Sequence, residues 1–390
     1  MPDMNASWAA FGVTLLVGLA SVRTFHLHGK FTGDATDGGP QKRHAYAVPR
    51  VGGVAIFLGL LAGACYLALG IDADALMLQI MLATLPAFAA GVIEDVTKKV
   101  SPLWRLLATL VSGALACAVI YQASAGLTGF WADGAPSWPL LAALSVVVAV
   151  GIAGMCNAMN LIDGFNGLSS GCSVIMLMAI AAVARQVGDD TVYTIATTVI
   201  GAALAFMMWN FPQGRLFLGD GGAYLLGGLL ATLSLLLVVR NPVVSPLLPL
   251  LVCIYPVFET LFSIYRRCKR NWRSAFRPDS LHLHSLIYRR FSRGFRSVVV
   301  ERRHPSRNPC TSPFLWALCM VSAVPCALWW QDGAALVLGC VMFALCYVAV
   351  YRTIVRFKIP SAWVVQPPTW EEERAFRESR QARLSRYPSL

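Results

Sequence analysis

The sequence predicts an all-α integral membrane protein, a polytopic bundle of about 11 transmembrane helices joined by cytoplasmic loops. Three observations predict it. Hydrophobic side chains make up 57% of the 390 residues and charged ones only 13%, whereas soluble domains carry about 25% charged residues. The apolar residues fall into long blocks, close to the ~20 residues that a helix needs to cross hydrocarbon. The basic residues gather on alternate loops. Together these exclude a disordered chain, a disulfide-stapled secreted module and an ordinary cytosolic enzyme.

The blocks run at 7–25, 51–70, 76–93, 103–123, 138–156, 168–185, 191–208, 221–239, 245–265, 313–331 and 333–352. The first has no basic residue before it and reads as an uncleaved anchor. Pro86, Pro249, Pro256 and Pro325 lie inside blocks, which neighbouring helices can tolerate in a bilayer. The last two blocks are parted only by Gln331, Asp332 and Gly333, a turn fit for an antiparallel hairpin. The cysteines are scattered without Cys-x-x-Cys or zinc spacing, and read as small buried hydrophobes.

Orientation follows from charge. With 23–50, 94–105, 209–220, 266–312 and 352–390 on one side, 30 of the 32 Lys and Arg residues fall there. By the positive-inside bias that side is cytoplasmic, with the N-terminus outside and the C-terminus inside. The net charge of +12 is thus a membrane-flanking belt and not a nucleic-acid surface. Residues 1–355 form one transmembrane unit, with cytoplasmic loops 26–50, 94–102, 157–167, 209–220 and 266–312. Residues 356–390 form a basic tail, in which Thr369 and Glu372 have the spacing of a capping box and predict a short helix.

Acidic residues are scarce, so their placement is informative. Glu94 and Asp95, Asp163 and Asp220 sit at helix ends on the basic side. Carboxylates gathered at one face repel unless a cation or proton lies among them, and all-oxygen donors suit Mg²⁺, which keeps sites for substrate phosphates. Lys42, Arg43, His44, Arg50, Lys98, Lys99, Arg105, His282 and His284 surround them. Asn157, Asn160 and Asp163 recur every three residues, so they share one drifting helix face. Gly164 and Gly167 permit a tight turn beside Asn166. Asp220 stands among glycines at a helix start, where free N–H groups favour a phosphate. Glu259 lies within the ninth block, where an ionisable group needs a partner or a function; a loop arginine is the plain partner.

These motifs, in this order, resemble the polyprenyl-phosphate N-acetylhexosamine-1-phosphate transferases. Lys42-Arg43-His44 and Pro49-Arg50-Val51-Gly52-Gly53 are similar to the family's first cytoplasmic loop. Glu94-Asp95 stands where its Asp-Asp pair lies. The stretch from Asn157 to Leu168 resembles its Asn-x-x-Asn-x-x-Asp-Gly-x-x-Gly-Leu motif, and Leu218-Gly219-Asp220-Gly221 its Leu-Gly-Asp-x-Gly motif. Pro256 to Thr260, followed by Arg266-Arg267, is similar to its Pro-x-x-Asp-Thr segment, and His282-Leu283-His284 to its histidine loop.

The resemblance implies transfer of an N-acetylhexosamine 1-phosphate from a UDP-sugar to undecaprenyl phosphate, with release of UMP. The product would start O-antigen or other cell-envelope polysaccharide synthesis at a bacterial inner membrane. It implies Mg²⁺, with Mn²⁺ as a substitute, held by Asp220 and Asn160. Asp95 would activate the lipid phosphate beside Glu94, and Asp163 would support the nucleotide-sugar pocket. Lys42, His44, Arg105, Asn157, Asn166, His282 and His284 would bind substrate. A homodimer is compatible with this reading. Glu94 and Asn166 depart from the family's usual Asp residues. The competing class is an ion-coupled secondary transporter, which needs charges nearer the bilayer centre and gains no support from an internal repeat.

Overall fold

The computed structural model describes residues 4–34, 47–70, 75–124, 138–270, 281–290 and 308–356. Lys42, His44 and the predicted tail helix lie outside these residues. Ten of the described helices are long and apolar enough to cross a membrane. In chain order the helices are α1 (Asn5–Arg23), α2 (Phe25–Thr32), α3 (Gly52–Leu69), α4 (Leu76–Thr97), α5 (Pro102–Ser124), α6 (Trp138–Ile162) and α7 (Leu168–Val187). Next come α8 (Asp190–Asn210), α9 (Gly219–Arg240), α10 (Leu248–Val252), α11 (Ile254–Arg270), α12 (Leu283–Arg290), α13 (Ser312–Leu328) and α14 (Gly333–Val355). A two-residue antiparallel ladder pairs β1 (Gly33–Asp34) with β2 (Val48–Pro49).

Helix α9 is the axis of the bundle. It is buried along nearly its whole length, and α3, α4, α5, α6 and α7 pack around it. No amphipathic stripe is needed in such a helix, because it meets protein on every side. The outer helices carry the lipid-facing surface: Trp104, Val147 and Leu338 are 67%, 67% and 61% exposed. Side chains of that size, exposed in such number, are costly in water and unremarkable in hydrocarbon.

The ninth predicted block, 245–265, is broken. Helix α10 ends at Val252 and α11 begins at Ile254. Pro256 has no N–H to bond the Val252 carbonyl four residues back, so the helical ladder is interrupted there. Helix α11 then runs on to Arg270 and ends in Arg266, Arg267, Lys269 and Arg270, too charged to count as a span by composition.

At the end of the bundle where α8 begins and α9 ends, Asp189 caps α8 by accepting from the Val192 N–H at 3.0 Å. Arg240 Nε and the Asn241 amide also donate to it, at 2.8 and 2.9 Å. Burial pushes its carboxyl up, but these donors outweigh that and hold it below the usual range. The groups of chemical interest lie at the opposite end.

Candidate active site

Two close helix contacts bring the acidic residues together. A Cβ at Gly91 of α4 would lie 2.4 Å from the Gly221 backbone nitrogen, and one at Gly53 of α3 would lie 2.3 Å from that of Gly222. Only glycine lets α3 and α4 come so near the start of α9. Asp95 is one turn beyond Gly91 on the same face of α4, so this contact delivers its carboxylate to the first turn of α9. There the Asp220 N–H donates to Asp95 Oδ1 and the Gly221 N–H to Oδ2, each at 3.0 Å. The helix start that the sequence reserves for a phosphate is therefore capped by an anion from within the protein. Gly219, at φ +77°, makes the turn that allows it; a Cβ there would lie 2.4 Å from Asp95 Oδ2.

The segment around Arg50 is held against the same turn by its backbone. The Phe217 N–H donates to Pro49 O at 2.9 Å, while the Gly52 and Gly53 N–H groups donate to Phe217 O and Leu218 O at 2.9 and 2.8 Å. Arg50 is thereby placed between two carboxylates. Its Nε lies 3.2 Å from Asp95 Oδ1 and its Nη2 2.9 Å from Asp220 Oδ1, while Arg105 Nη1 of α5 lies 2.6 Å from Asp220 Oδ2. Two acids and two guanidinium groups alternate in one row. Arg105 belongs to the predicted set. Arg50 is in the predicted ring of bases but not among the predicted site residues, although its motif pointed to it.

Asp163 stands just past the end of α6, in a turn where the Gly164 N–H bonds Ile162 O at 2.7 Å. It accepts from the Ser169 hydroxyl at the start of α7. Burial pushes its carboxyl up to about 7; Ser169 and Arg50 pull it down, while Asp220 and Asp95 add to the rise. Asp163 thus shares one electrostatic field with the row above. Asn157 and Asn160 lie on the last two turns of α6, both partly exposed. The Asn157 amide donates to Thr109 Oγ1 of α5 at 3.1 Å and to Ala153 O at 2.8 Å.

Asn166 is set into the fold by several contacts. It is buried, and its amide donates to Pro212 O at 3.0 Å, while its own N–H donates to Asn308 Oδ1 at 2.7 Å. Ser312 donates to its carbonyl at 2.6 Å and Trp316 Nε1 to that of Gly167 at 2.9 Å. The Gly167 N–H bonds Asn210 Oδ1 at 2.5 Å. The side chain is a clasp for the Asp163 turn and its amide is already engaged. An aspartate could not donate to Pro212 O, which is a physical reason for the departure from the family pattern.

Glu94 caps the turn after α4, its Oε2 accepting from the Val100 N–H at 2.8 Å. His282 and His284 stack nearly parallel, with centroids 5.3 Å apart. A Cβ at Gly164 would lie 3.2 Å from His284 Nε2, so His284 lies against the Asp163 turn. Glu259 is paired with His282 Nδ1 at 3.2 Å, so among the described residues its partner is a histidine in place of the loop arginine that the sequence offered as the plain reading. The residues that sequence reading missed, Asn210, Asn308, Ser312 and Trp316, carry no local motif; they reach the turn from helices far along the chain.

Among the described residues no three His, Cys, Asp or Glu side chains form a metal-binding group. Asp163 lies in the field of Asp220, and Asn160 is one turn before it on α6, its carbonyl accepting from the Asp163 N–H at 3.2 Å; carboxylates and an amide are hard oxygen donors. That set suits Mg²⁺, which takes one or two carboxylates and leaves positions for phosphate oxygens, and Asp220 already draws two guanidinium cations.

Residues 77–238 match the family model described as glycosyl transferase family 4. That segment contains Asp95, Arg105, Asn157, Asn160, Asp163 and Asp220. The chain is 32% identical to the probable undecaprenyl-phosphate N-acetylglucosaminyl 1-phosphate transferase of Bacillus subtilis, over 63% of this chain and 66% of that protein. It is 29% identical to the decaprenyl-phosphate N-acetylglucosaminephosphotransferase of Mycobacterium tuberculosis, over 78% of this chain and 79% of the relative. It is 30% identical to the phospho-N-acetylmuramoyl-pentapeptide-transferase of Moorella thermoacetica, over 63% of this chain and 78% of the relative.

Proposed function

Since the chain belongs to glycosyl transferase family 4, we propose that it transfers an N-acetylhexosamine 1-phosphate from a UDP-sugar to undecaprenyl phosphate, releasing UMP. The observation that carries this reading is the row Asp95–Arg50–Asp220–Arg105, with Asp163 in its field, at one end of an apolar bundle. A polyprenyl phosphate keeps its chain in hydrocarbon and its head at the surface, and a nucleotide sugar arrives from water. The two meet at the depth of these helix ends.

An oxygen of the lipid phosphate attacks the sugar-bearing phosphorus, and the bond to the UMP oxygen breaks, UMP leaving with the electron pair. Anion attacking anion is opposed by charge, so catalysis rests on neutralisation and positioning. Arg50 and Arg105 supply fixed positive charge where the phosphates meet. Asp95 holds the start of α9 and Arg50 in register, which fits a positioning role alongside the activating role that the family resemblance implies. Asp220 and Asn160 would hold Mg²⁺, with Mn²⁺ as a substitute, and Asp163 feels the charge of Asp220. When bound, such a cation polarises phosphate oxygens and offsets their charge. The basic belt supports placing this end in the cytoplasm of a bacterial inner membrane. The product would begin a cell-envelope polysaccharide.

Membranes holding the protein, given undecaprenyl phosphate and UDP-N-acetylglucosamine labelled in the sugar, test the reading. Label is expected in solvent-extractable lipid, with UMP formed in equal amount and with Mg²⁺ required. Label that enters vesicles unaltered would replace the enzyme with a transporter.

A further inference from the structure

Glu259 is a wholly buried acid on α11 with no solvent to carry its charge. Three donors surround it. The Leu283 N–H at the start of α12 reaches Oε1 at 3.1 Å, Tyr347 of α14 donates to Oε2 at 2.7 Å, and His282 Nδ1 lies 3.2 Å from Oε1. Ser263, one turn along α11, places its hydroxyl 3.0 Å from the same Nδ1. A carboxylate beside Nδ1 is repelled by a lone pair and attracted by N–H, so the proton belongs on Nδ1. Nε2 is then the nitrogen that carries the lone pair, in a ring stacked on His284, which in turn lies against Gly164 of the Asp163 turn.

We propose that Glu259 is a positioning residue, whose carboxylate fixes the His282 ring with Nδ1–H inward so that Nε2 meets the diphosphate or sugar of the donor. This rests on the transferase reading above. Outer partners of this kind set the orientation and basicity of the residue they hold, and losing one costs about 10–100-fold where it has been measured at metal sites. A purely structural tie between α11, α12 and α14 would need the same three donors but would not act through His282.

A double-mutant cycle on the purified full chain separates the two. Glu259→Gln, His282→Ala and the double variant are compared for KM of UDP-N-acetylglucosamine, kcat and thermal midpoint. Glu259→Gln is expected to raise KM about tenfold, with kcat changed far less, and to add nothing once His282 is alanine. Tyr347→Phe removes one donor but leaves the His282 contact, so the midpoint falls while KM stays. If Glu259→Gln does not fold, Glu259→Asp replaces it; the acid is kept but withdrawn by one methylene, and KM rises in the same non-additive way. Additive effects in the double variant, or a change in midpoint alone, would overturn the proposal. Absence of transfer by the wild type would instead remove the transferase reading, and this proposal with it.

Discussion

Exchanging single oxygens for nitrogen at Asp95 and at Asp220 should separate holding the fold from handling substrate. Both Asp95 oxygens are acceptors: Oδ1 for the Asp220 N–H and Arg50 Nε, Oδ2 for the Gly221 N–H. In Asp95→Asn the amide must point at one of these donors whichever way it is flipped. One buried N–H is left facing another, at about 1–3 kcal/mol. The attraction of Arg50 is lost as well, so about 2–4 kcal/mol in total is expected. Asp220 is different. Its side chain is 13% exposed and bonds only guanidinium groups, which water can reach in its place, so Asp220→Asn should cost under about 1 kcal/mol. The assay is thermal unfolding in detergent beside lipid-linked transfer. Both variants should lose transfer, with Asp95→Asn melting on the order of 5 °C lower and Asp220→Asn close to wild type. An unchanged midpoint in Asp95→Asn would refute the clamp at the start of α9.

Gly219→Ala adds a Cβ at φ +77°, against Asp95 Oδ2; displacing that carboxylate by ~1 Å should lower kcat by about 100-fold, and retention of wild-type rate would show that the turn does not set the geometry. Asn166→Asp turns a donor toward Pro212 O into an acceptor at 3.0 Å, so the midpoint should fall by an amount worth about 1–3 kcal/mol even though aspartate is the family's usual residue. Asp163 has a folded pKa of about 7 against an ordinary 3.8. The folded state holds its proton longer, so this group's stabilisation is complete below the ordinary value and is lost as pH rises through 7. From pH 6 to pH 8 the wild type should lose up to about 1.4 kcal/mol through it, and an equal loss in Asp163→Asn would assign the slope to another group.

The family-like motifs were legible because each is short and sits on one helix end: Asn157, Asn160 and Asp163 need only the α-helical period to share a face. Arg50 was half legible. Its motif was visible, but its distance from Asp95 and Asp220 was not, because that depends on how closely α3 and α4 approach α9 at Gly53 and Gly91. Asn166 reads in the sequence as a substrate contact beside Asp163, and only the fold shows its amide donating to Pro212 O. Glu259 was recognised as needing a partner, and the partner came from a segment whose arrangement no spacing encodes.

By itself the sequence determined the features that local chemistry and the surrounding solvent impose: apolar blocks long enough for hydrocarbon, a charge bias between loops, and acids confined to helix ends. Those depend on composition and period alone. Tertiary structure decided which carboxylate caps α9, which arginines compensate the acids, and where the ninth block breaks. Such choices rest on contacts between residues far apart in the chain, and their distances are fixed only when the helices pack.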